Sequence, residues 1–533
     1  RVHTALLVIV LVVGFGLRLV QPTLVEFKRD EATIARLGQA IAHEGYLPAV
    51  GVDSSLGIDN LPLTLYLMAL PLRLWSDPVS AVVFTCLLNS LALVGCYLLA
   101  RTGLGKGPAL LATWLFAVSP WAVLYARKIW ARTLPLATLA FIIACYGAFV
   151  LRKRWALVGA FAALAALVGL QLEALAFVPI LGVAVVLYRD AVDWRALLVG
   201  LVVLGLLLLP YGVHDARHGW ENARGLLGYA GGDGAFSWDA MRYAFSLLGS
   251  EGIEGQAGPF HEEFRQALGP FWWLNDVLSG LLVAGLLYGA YVALWDRNQG
   301  RRRTFQLFQL WFWVPIALQL HPSAPTQRHY YVMHYPVQYL LIAAFVTAAV
   351  RWAMGMRAVP PQGVAPGVAG EELTRGPDVT DGATRRLRPG TELTVVAVGL
   401  GVVALFGGWQ IAVTGHLRRT MAAHPTTGGY GVPLRHKRQA AAAARALAPD
   451  GEIVVLAETT QPFLTEMPTV FDALLFGVPH RFADGRTALP VPQTEHLAYL
   501  VGPMARTERV SSPGLDSESG VHPLEVGLAR LQA

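Results

Sequence analysis

The chain has 533 residues, of which 54% are hydrophobic and only 15% are charged, and its mean hydropathy is +0.47. A soluble domain carries about a quarter charged residues, so this composition excludes an ordinary soluble protein. The net charge of +6 does not indicate nucleic-acid binding. The Lys and Arg residues stand in short clusters between apolar runs, which is how a membrane protein sets its orientation.

The first apolar runs predict spans across a membrane. No clear small-residue cleavage site follows the first run, so we interpret it as a retained helix and not as a removed signal peptide. The three cysteines, Cys86, Cys96 and Cys145, all fall inside apolar runs. That placement favours packing roles over a disulfide framework or a metal site.

Eleven apolar runs approach the roughly 20 residues that cross a bilayer. We predict spans at 4–20, 79–100, 108–126, 134–151, 155–170, 173–188, 195–211, 276–295, 305–320, 331–351 and 393–413. One set of loops is basic: Arg101 and Lys106, Arg152 to Arg154, Arg189 and Arg195, Arg297 with Arg301 to Arg303, and Arg351 to Arg388. By the positive-inside rule these loops are cytoplasmic. The outer side then receives residues 21–78, the turn near 127–133, the loop 212–275 and everything after about 414.

The chain changes character after the tenth predicted span. Residues 352–392 contain a stretch rich in Pro, Gly, Thr and Arg, which is typical of a flexible linker, here on the cytoplasmic side. In the region 416–533, an Ala-rich helix over Leu434–Leu447 precedes two buried strands, Glu452–Ala457 and His496–Val501. The predicted fold is therefore an all-α polytopic membrane domain, residues 1–415, followed by a small extracytoplasmic α/β domain.

The first outer loop is the most informative region. Asp30 and Glu31 precede a segment in which Ile34, Leu37 and Ile41 recur at helical spacing, and this pattern predicts a short amphipathic helix along the membrane surface. Asp30 suits the N-cap of that helix, since Asp is a favoured cap. It also suits a catalytic carboxylate held at the surface, where it would deprotonate an acceptor hydroxyl. The two interpretations are compatible, because capping also positions the side chain.

The later part of this loop, residues 53–75, is punctuated by Gly and Pro and then turns apolar, interrupted by Pro71 and Arg73. We interpret it as a second surface or re-entrant helix. A true twelfth span there would reverse the side of every later loop and violate the charge rule.

Three segments carry a resemblance to a known family. They are DEATIARLGQAIAHEGYLP (30–48), SPWAVLYARKIWARTLP (119–135) and QRHYYVMHYP (327–336). Together they resemble the GT-C fold membrane glycosyltransferases, in particular glycosyltransferase family 39, with the protein O-mannosyltransferases and the aminoarabinose transferases of lipid A. The resemblance covers residues 1–415. All three segments fall on the outer side of the predicted topology, which the resemblance did not dictate.

The resemblance implies transfer of a sugar, with inversion, from a polyprenyl-phosphate-linked donor to an acceptor that is a protein, a lipid or a polysaccharide. Such a reaction needs a base, and we expect Asp30 to serve, with Glu31 as its partner or as an acceptor-orienting group. It also needs cations for the departing phosphate, for which the candidates are Arg127, Lys128, Arg132, Arg328 and His329. Several relatives carry an acidic residue soon after the position of Arg132, where this chain has Thr133 and Leu134. That departure puts a divalent metal of that kind in doubt.

Each of these candidates has a simpler explanation. Arg127 and Lys128 suit snorkelling at the end of a span, although three cations on the outer side run against the orientation rule. His329 and Tyr330 suit interfacial anchoring. Glu173, in a short outer turn, is either a substrate-binding acid or a hydrated turn residue.

Two other functions compete with sugar transfer. A transporter or flippase would show ionisable residues in mid-span and two repeated halves with broken helices, and neither feature is evident. A non-catalytic scaffold would leave the Asp30–Glu31 loop and the outer cations without a purpose.

Overall fold

The structure, a computed structural model, describes residues 1–54, 57–130, 135–230, 234–322, 326–354, 389–425, 429–487, 490, 496–502, 515–518 and 527–531. Every predicted span coincides with helix. The helices up to the predicted linker are α1 Val2–Leu19, α2 Arg29–Gln39, α3 Leu63–Leu74, α4 Val79–Gly103, α5 Lys106–Val118, α6 Pro120–Tyr125, α7 Pro135–Phe149, α8 Arg154–Leu170, α9 Val178–Leu187, α10 Trp194–Arg217, α11 Glu221–Ala230, α12 Asp239–Ser246, α13 His261–Ala267, α14 Leu274–Trp295, α15 Gln299–Ala317 and α16 Val337–Ala353.

Shorter helical turns join these elements. A π-helical turn, Ala40–Glu44, continues α2 and ends at Gly45, whose φ of 74° is the left-handed conformation that glycine adopts without strain. The 3-10 turns are Leu172–Phe177, Arg189–Ala191, Ile253–Phe260, Gly269–Phe271 and Arg328–His334.

Fewer helices than predicted are long enough to span a membrane. Within the described residues, four apolar stretches meet the length of a span: Val2–Leu19, Val79–Gly103, Trp194–Arg217 and Gly269–Trp295. The pair Arg328–His334 and Val337–Ala353, bent by 52°, would make a fifth. Five shorter apolar helical stretches there have 10–17 residues. At about 1.5 Å per residue these fall short of a hydrocarbon core of about 30 Å, so the prediction of eleven full spans is not supported.

The apolar helices pack into one bundle around a continuous buried core that includes Phe116, Trp121, Phe141, Trp311 and Tyr339. Small residues allow close approach between neighbours. A Cβ on Gly285 of α14 would lie 2.8 Å from the Leu341 backbone of α16, and a Cβ on Gly200 of α10 would lie 2.3 Å from the Phe161 ring of α8. Close glycine contacts of this kind are typical of helices that associate inside a membrane.

The last long helix leads into an α/β unit. Helix α17 runs over Pro389–Ala423, so the domain boundary predicted at 415 falls inside it. The elements that follow are α18 Leu434–Leu447, β1 Glu452–Ala457, α19 Glu466–Leu474, β2 His480–Asp484, β3 Leu497–Val501, β4 Leu515–Glu518 and β5 Gly527–Leu531.

These strands form one sheet in the order β2-β1-β3-β5-β4. Strand β1 lies between β2 and β3 and pairs parallel with both, whereas β5 pairs antiparallel with β3 and β4. Helix α18 and strand β1 lie where the sequence predicted them. Strands β4 and β5 were not predicted, because the stretch after residue 503 is polar.

The α/β unit rests on the first outer loop. One buried apolar cluster joins Ala32 and Ala35 of α2 and Met68 of α3 to Val470 of α19 and Leu500 of β3. Backbone hydrogen bonds from Leu434 N to Val25 O (2.9 Å) and from Arg435 N to Thr23 O (2.8 Å) reinforce the contact. The two parts of the chain therefore share a core, and helix α2 lies between them, with most of its residues buried.

Candidate active site

The site is built around the first turn of α2. The Glu31 carboxylate accepts a hydrogen bond from the Lys28 backbone N–H (2.9 Å), which satisfies one of the free donors at the start of the helix. Glu31 therefore supplies the capping interaction that the sequence suggested for Asp30. Asp30 lies in the same first turn, and its side chain stays half-exposed.

Asp30 lines a cavity of about 770 Å³. Its side chain is 47% exposed, and its Oδ1 lies 3.7 Å from the Nε of Arg29. The wall comes from seven parts of the chain: α2, the hairpin around residues 51–60, α3, Trp130 after α6, the end of α8, the segment 327–330 and a loop of the α/β unit. The lining residues are Arg29, Asp30, Thr33, Ile34, Leu37, Gly51, Val52, Asp53, Ser54, Asn60, Leu61, Thr64, Leu65, Trp130, Leu170, Gln327, His329, Tyr330 and Phe463.

A buried ionic cluster lies behind this wall. Lys128 Nζ is 2.6 Å from Glu26 Oε2 and 3.5 Å from Glu31 Oε1, and Lys28 Nζ is 3.0 Å from Glu26 Oε1. Glu31 and Lys128 are almost fully buried, and the described lining of the cavity includes neither of them.

The cluster shifts the titration of its members. Burial raises the pKa of the Glu31 carboxyl above its ordinary value, against the attraction of Lys128. Burial acts in the same direction on Glu26, but the charges of Lys128 and Lys28 outweigh it and hold the pKa of that carboxyl below its ordinary value. Burial opposes the charge of Lys128, and the two carboxylates overcome it, so the pKa of the ammonium group is raised.

Two of the predicted phosphate-binding arginines, Arg127 and Arg328, are not among the described residues that line the cavity. Arg127 is buried and donates from Nη2 to the carbonyls of Gln21 and Leu24 (3.2 Å to the latter), just past the end of α1. The guanidinium of Arg328 stacks 4.4 Å from the Trp121 ring centroid and donates to Gly252 O. Arg132 lies outside the described residues.

The segment 327–330 brings aromatic groups to the wall. The His329 ring lies 4.6 Å from that of Trp130 and 4.5 Å from that of Tyr330. The ammonium group of Lys128 is 4.5 Å from the centroid of the Trp130 ring, so Trp130 stands between the ionic cluster and the cavity. Burial chiefly, and then the nearby Tyr330 and Glu173, raise the pKa of the Tyr229 hydroxyl.

The polar and aromatic lining residues that sequence reasoning did not assign to the site include Arg29, Asp53, Asn60 and Phe463. Arg29 adjoins Asp30, which was a usable signal. Asp53 and Asn60 lie in a hairpin closed by hydrogen bonds from Gly51 N to Asn60 O and from Ser54 N to Ile58 O (2.7 and 2.9 Å). Nothing local in the sequence marks Phe463.

No group of three or more His, Cys, Asp or Glu side chains that could hold a metal ion occurs within the part of the chain that the structure describes. Asp53 and Asp59 are a pair of acidic residues that face each other across the hairpin. Among the described residues, the cavity thus offers two solvent-accessible carboxylates, Asp30 and Asp53, the Arg29 guanidinium and an aromatic wall.

Solved structures share this architecture. The crystal structure of ArnT from Cupriavidus metallidurans bound to undecaprenyl phosphate matches with a TM-score of 0.54 and 14% sequence identity, over 99% of this chain and 97% of that one. The apo state of the same protein matches with a TM-score of 0.54 and 15% identity, over the same shares of the two chains. The chain has the GT-C fold. This confirms the fold that the three sequence segments resembled.

The GT-C fold and the apolar helices identify an integral membrane protein. The oligosaccharyltransferase of Archaeoglobus fulgidus, tethered to an acceptor peptide, matches with a TM-score of 0.46 and 14% identity over 90% of this chain and 63% of that one. Because this TM-score is below 0.5, the match does not contribute to the assignment of the fold. No family model matches the sequence, and no curated protein matches it with significance.

Proposed function

We propose that the chain transfers a sugar from a polyprenyl-phosphate-linked donor to an acceptor hydroxyl at the outer face of the membrane, with Asp30 as the general base. The observation that carries the proposal is the position of Asp30: it is half-exposed, lies in the first turn of α2 and lines a cavity of about 770 Å³. A cavity of this size holds a sugar and the adjoining phosphate. The GT-C fold shared with an ArnT that binds undecaprenyl phosphate supports the class of donor.

Asp30 suits the proton transfer. The base takes the proton of the acceptor hydroxyl as that oxygen attacks the anomeric carbon, and the sugar–phosphate bond breaks on the opposite face. A positioned carboxylate contributes about 10²- to 10⁴-fold to such a step. Asp30 has the exposure that this role needs, whereas Glu31 is enclosed in the ionic cluster.

The leaving phosphate needs a cation. Arg29 is the guanidinium that lines the cavity, and its side chain is 54% exposed. An arginine binds phosphate oxygens through two parallel hydrogen bonds. We therefore assign phosphate binding to Arg29, and we keep Lys128 as the nearest buried positive charge behind Trp130.

Glu31 is proposed as a positioning residue. It caps α2 through the Lys28 N–H and is held by Lys128. Both contacts orient the first turn of the helix, and with it the Asp30 carboxylate.

The test is transfer by the Asp30→Asn variant. Purified full-length chain in nanodiscs is incubated with undecaprenyl-phosphate-linked hexoses and pentoses and a panel of acceptor glycosides, peptides and lipids, and products are identified by mass spectrometry. We expect Asp30→Asn to lose about 10²-fold or more of the wild-type rate with unchanged thermal stability. The control is Glu44→Gln, which removes a carboxylate of the same loop that pairs with Arg36 at 2.9 Å and should transfer normally. Wild-type rates in Asp30→Asn would overturn the assignment. Flux of lipid-linked sugar across proteoliposomes with no covalent product would support the flippase instead.

A further inference from the structure

The α/β unit reaches the cavity through one loop. This loop, residues 458–465, leaves the carboxyl end of β1 and leads into α19. Strand β1 is the point at which the chain order turns, since β2 lies on one side of it and β3 on the other. In open α/β sheets, ligands bind at the carboxyl ends of the strands beside such a point. The edge of the sheet that is suited to ligands therefore faces the transferase cavity.

Phe463 is the residue of this loop that lines the cavity. Its ring is 40% exposed, and its φ of 74° is a left-handed conformation that a bulky side chain rarely adopts. The conformation is held from below: Phe463 N donates to Thr469 Oγ1 (3.0 Å), and the Thr469 hydroxyl, which is fully buried, donates to Thr465 O (2.7 Å). Residues held this way cluster at ligand sites.

The α/β unit also forms hydrogen bonds with helix α2, which carries Asp30. Arg29 Nη1 donates to the carbonyl of Leu464 (3.3 Å), so the same guanidinium that lines the cavity beside Asp30 contacts the residue after Phe463. Nearby, Arg36 Nε donates to Asp472 Oδ2 of α19 (3.1 Å). These contacts set the distance between the Phe463 wall and the Asp30 wall.

We propose that Phe463 forms an acceptor subsite, in which a carbohydrate ring of the acceptor stacks on the phenyl ring and presents its hydroxyl to Asp30. This inference rests on the proposed function. The donor is anchored in the bilayer and its phosphate enters from the membrane domain. Phe463 belongs to the α/β unit, whose described elements after α17 include no candidate span, so it forms the wall on the water side.

The chemistry of the wall favours a carbohydrate. Phe463, Trp130 and Tyr330 provide aromatic faces, and Asp53 and Asn60 provide hydrogen-bonding groups. Sugars combine apolar C–H faces with hydroxyl edges, and an aromatic ring together with a few polar groups matches both.

The first experiment compares acceptor and donor kinetics. Phe463→Ala should raise the KM for acceptor glycosides by about five- to tenfold, the range expected for losing one aromatic contact, and leave the KM for the donor unchanged. Phe463→Tyr should restore the wild-type acceptor KM. Leu464→Ala is the matched control, because Leu464 is 57% exposed, adjoins Phe463 and does not line the cavity. An unchanged acceptor KM in Phe463→Ala, or a raised donor KM, would overturn the subsite.

The second experiment measures binding without transfer, so that it separates failure of the subsite from failure of the proposed function. The three native cysteines are buried, and a maleimide therefore labels Phe463→Cys and Leu464→Cys at the introduced thiol. Methyl glycosides of hexoses and pentoses should slow labelling of Phe463→Cys by about threefold or more and leave Leu464→Cys unaffected. Undecaprenyl phosphate alone should protect neither variant. Equal protection of both variants, none of either, or protection by undecaprenyl phosphate would refute the acceptor subsite, whether or not the wild type transfers sugar.

Discussion

Asp30 and Glu31 are consecutive carboxylates in two different environments. Asp30 is half-exposed on the wall of a cavity, while Glu31 lies in a buried cluster with Glu26, Lys28 and Lys128. A helix turns about 100° per residue, so consecutive residues in its first turn face different surroundings. One side of α2 faces the cavity and the other faces the protein interior.

The comparison shows that charged groups near helix α2 are either buried in ion pairs or exposed on the cavity wall. A buried charge is stable only when it is paired and hydrogen-bonded, and the pairing that stabilises Glu31 and Lys128 also removes them from direct contact with a substrate. A charge on a cavity wall keeps its hydration until a ligand displaces it. The buried cluster therefore positions helix α2, whereas the charges on the cavity wall are accessible to a substrate.

The largest effect is expected when the buried cation, Lys128, is removed. Lys128→Met leaves Glu26 and Glu31 buried with one partner fewer, and breaking a buried pair costs about 3–5 kcal/mol. We expect the free energy of unfolding, from titration with SDS in mixed micelles, to fall by about this amount. Lys153→Met, which removes an exposed lysine, is the control and should change little. A small loss in Lys128→Met would mean that the cluster does not hold α2.

A second change separates capping from charge within Glu31. Glu31→Gln keeps an oxygen that accepts from the Lys28 N–H, whereas Glu31→Ala loses it, so Ala should be the less stable variant by about 1 kcal/mol. We expect Glu31→Gln to retain transfer within a few-fold of wild type, in contrast to Asp30→Asn. Thermal unfolding and the transfer assay measure the two effects. Loss of activity in Glu31→Gln comparable to that of Asp30→Asn would give Glu31 a catalytic role.

The smallest expected effect concerns the hairpin at the cavity edge. A hydrogen bond with Asp59, together with burial and the Asp59 charge, raises the pKa of Asp53. Between the ordinary and the raised pKa the folded chain holds a proton that the unfolded chain has lost, so the stability from this pair is present at low pH and declines as pH rises through that window. The difference in Tm between Asp53→Asn and wild type should therefore grow in favour of the variant from pH 4 to pH 7. A difference that is independent of pH would contradict the pairing.

Much of the secondary structure could be predicted from local pattern. Helix α18 and strand β1 have the predicted bounds, since periodicity and composition act over a few residues. Among the described residues, two of the predicted spans are broken at Ser119 and Phe177 into shorter helices, which the apolar pattern did not indicate. The cations Arg127 and Lys128 were expected at the phosphate, whereas their partners are carbonyls near the end of α1 and carboxylates of the first loop.

The sequence by itself determined that the chain is an apolar helical membrane protein and that Asp30 and Glu31 begin a helix, because burial in lipid and helix capping are local demands. Only the tertiary structure decided which of the two carboxylates faces the cavity, which cations are paired, and that Phe463 lies on the wall with Asp30. Those outcomes depend on contacts between residues about 100 and more than 400 positions apart. No local pattern records them, since they arise when the bundle and the α/β unit close on the same helix.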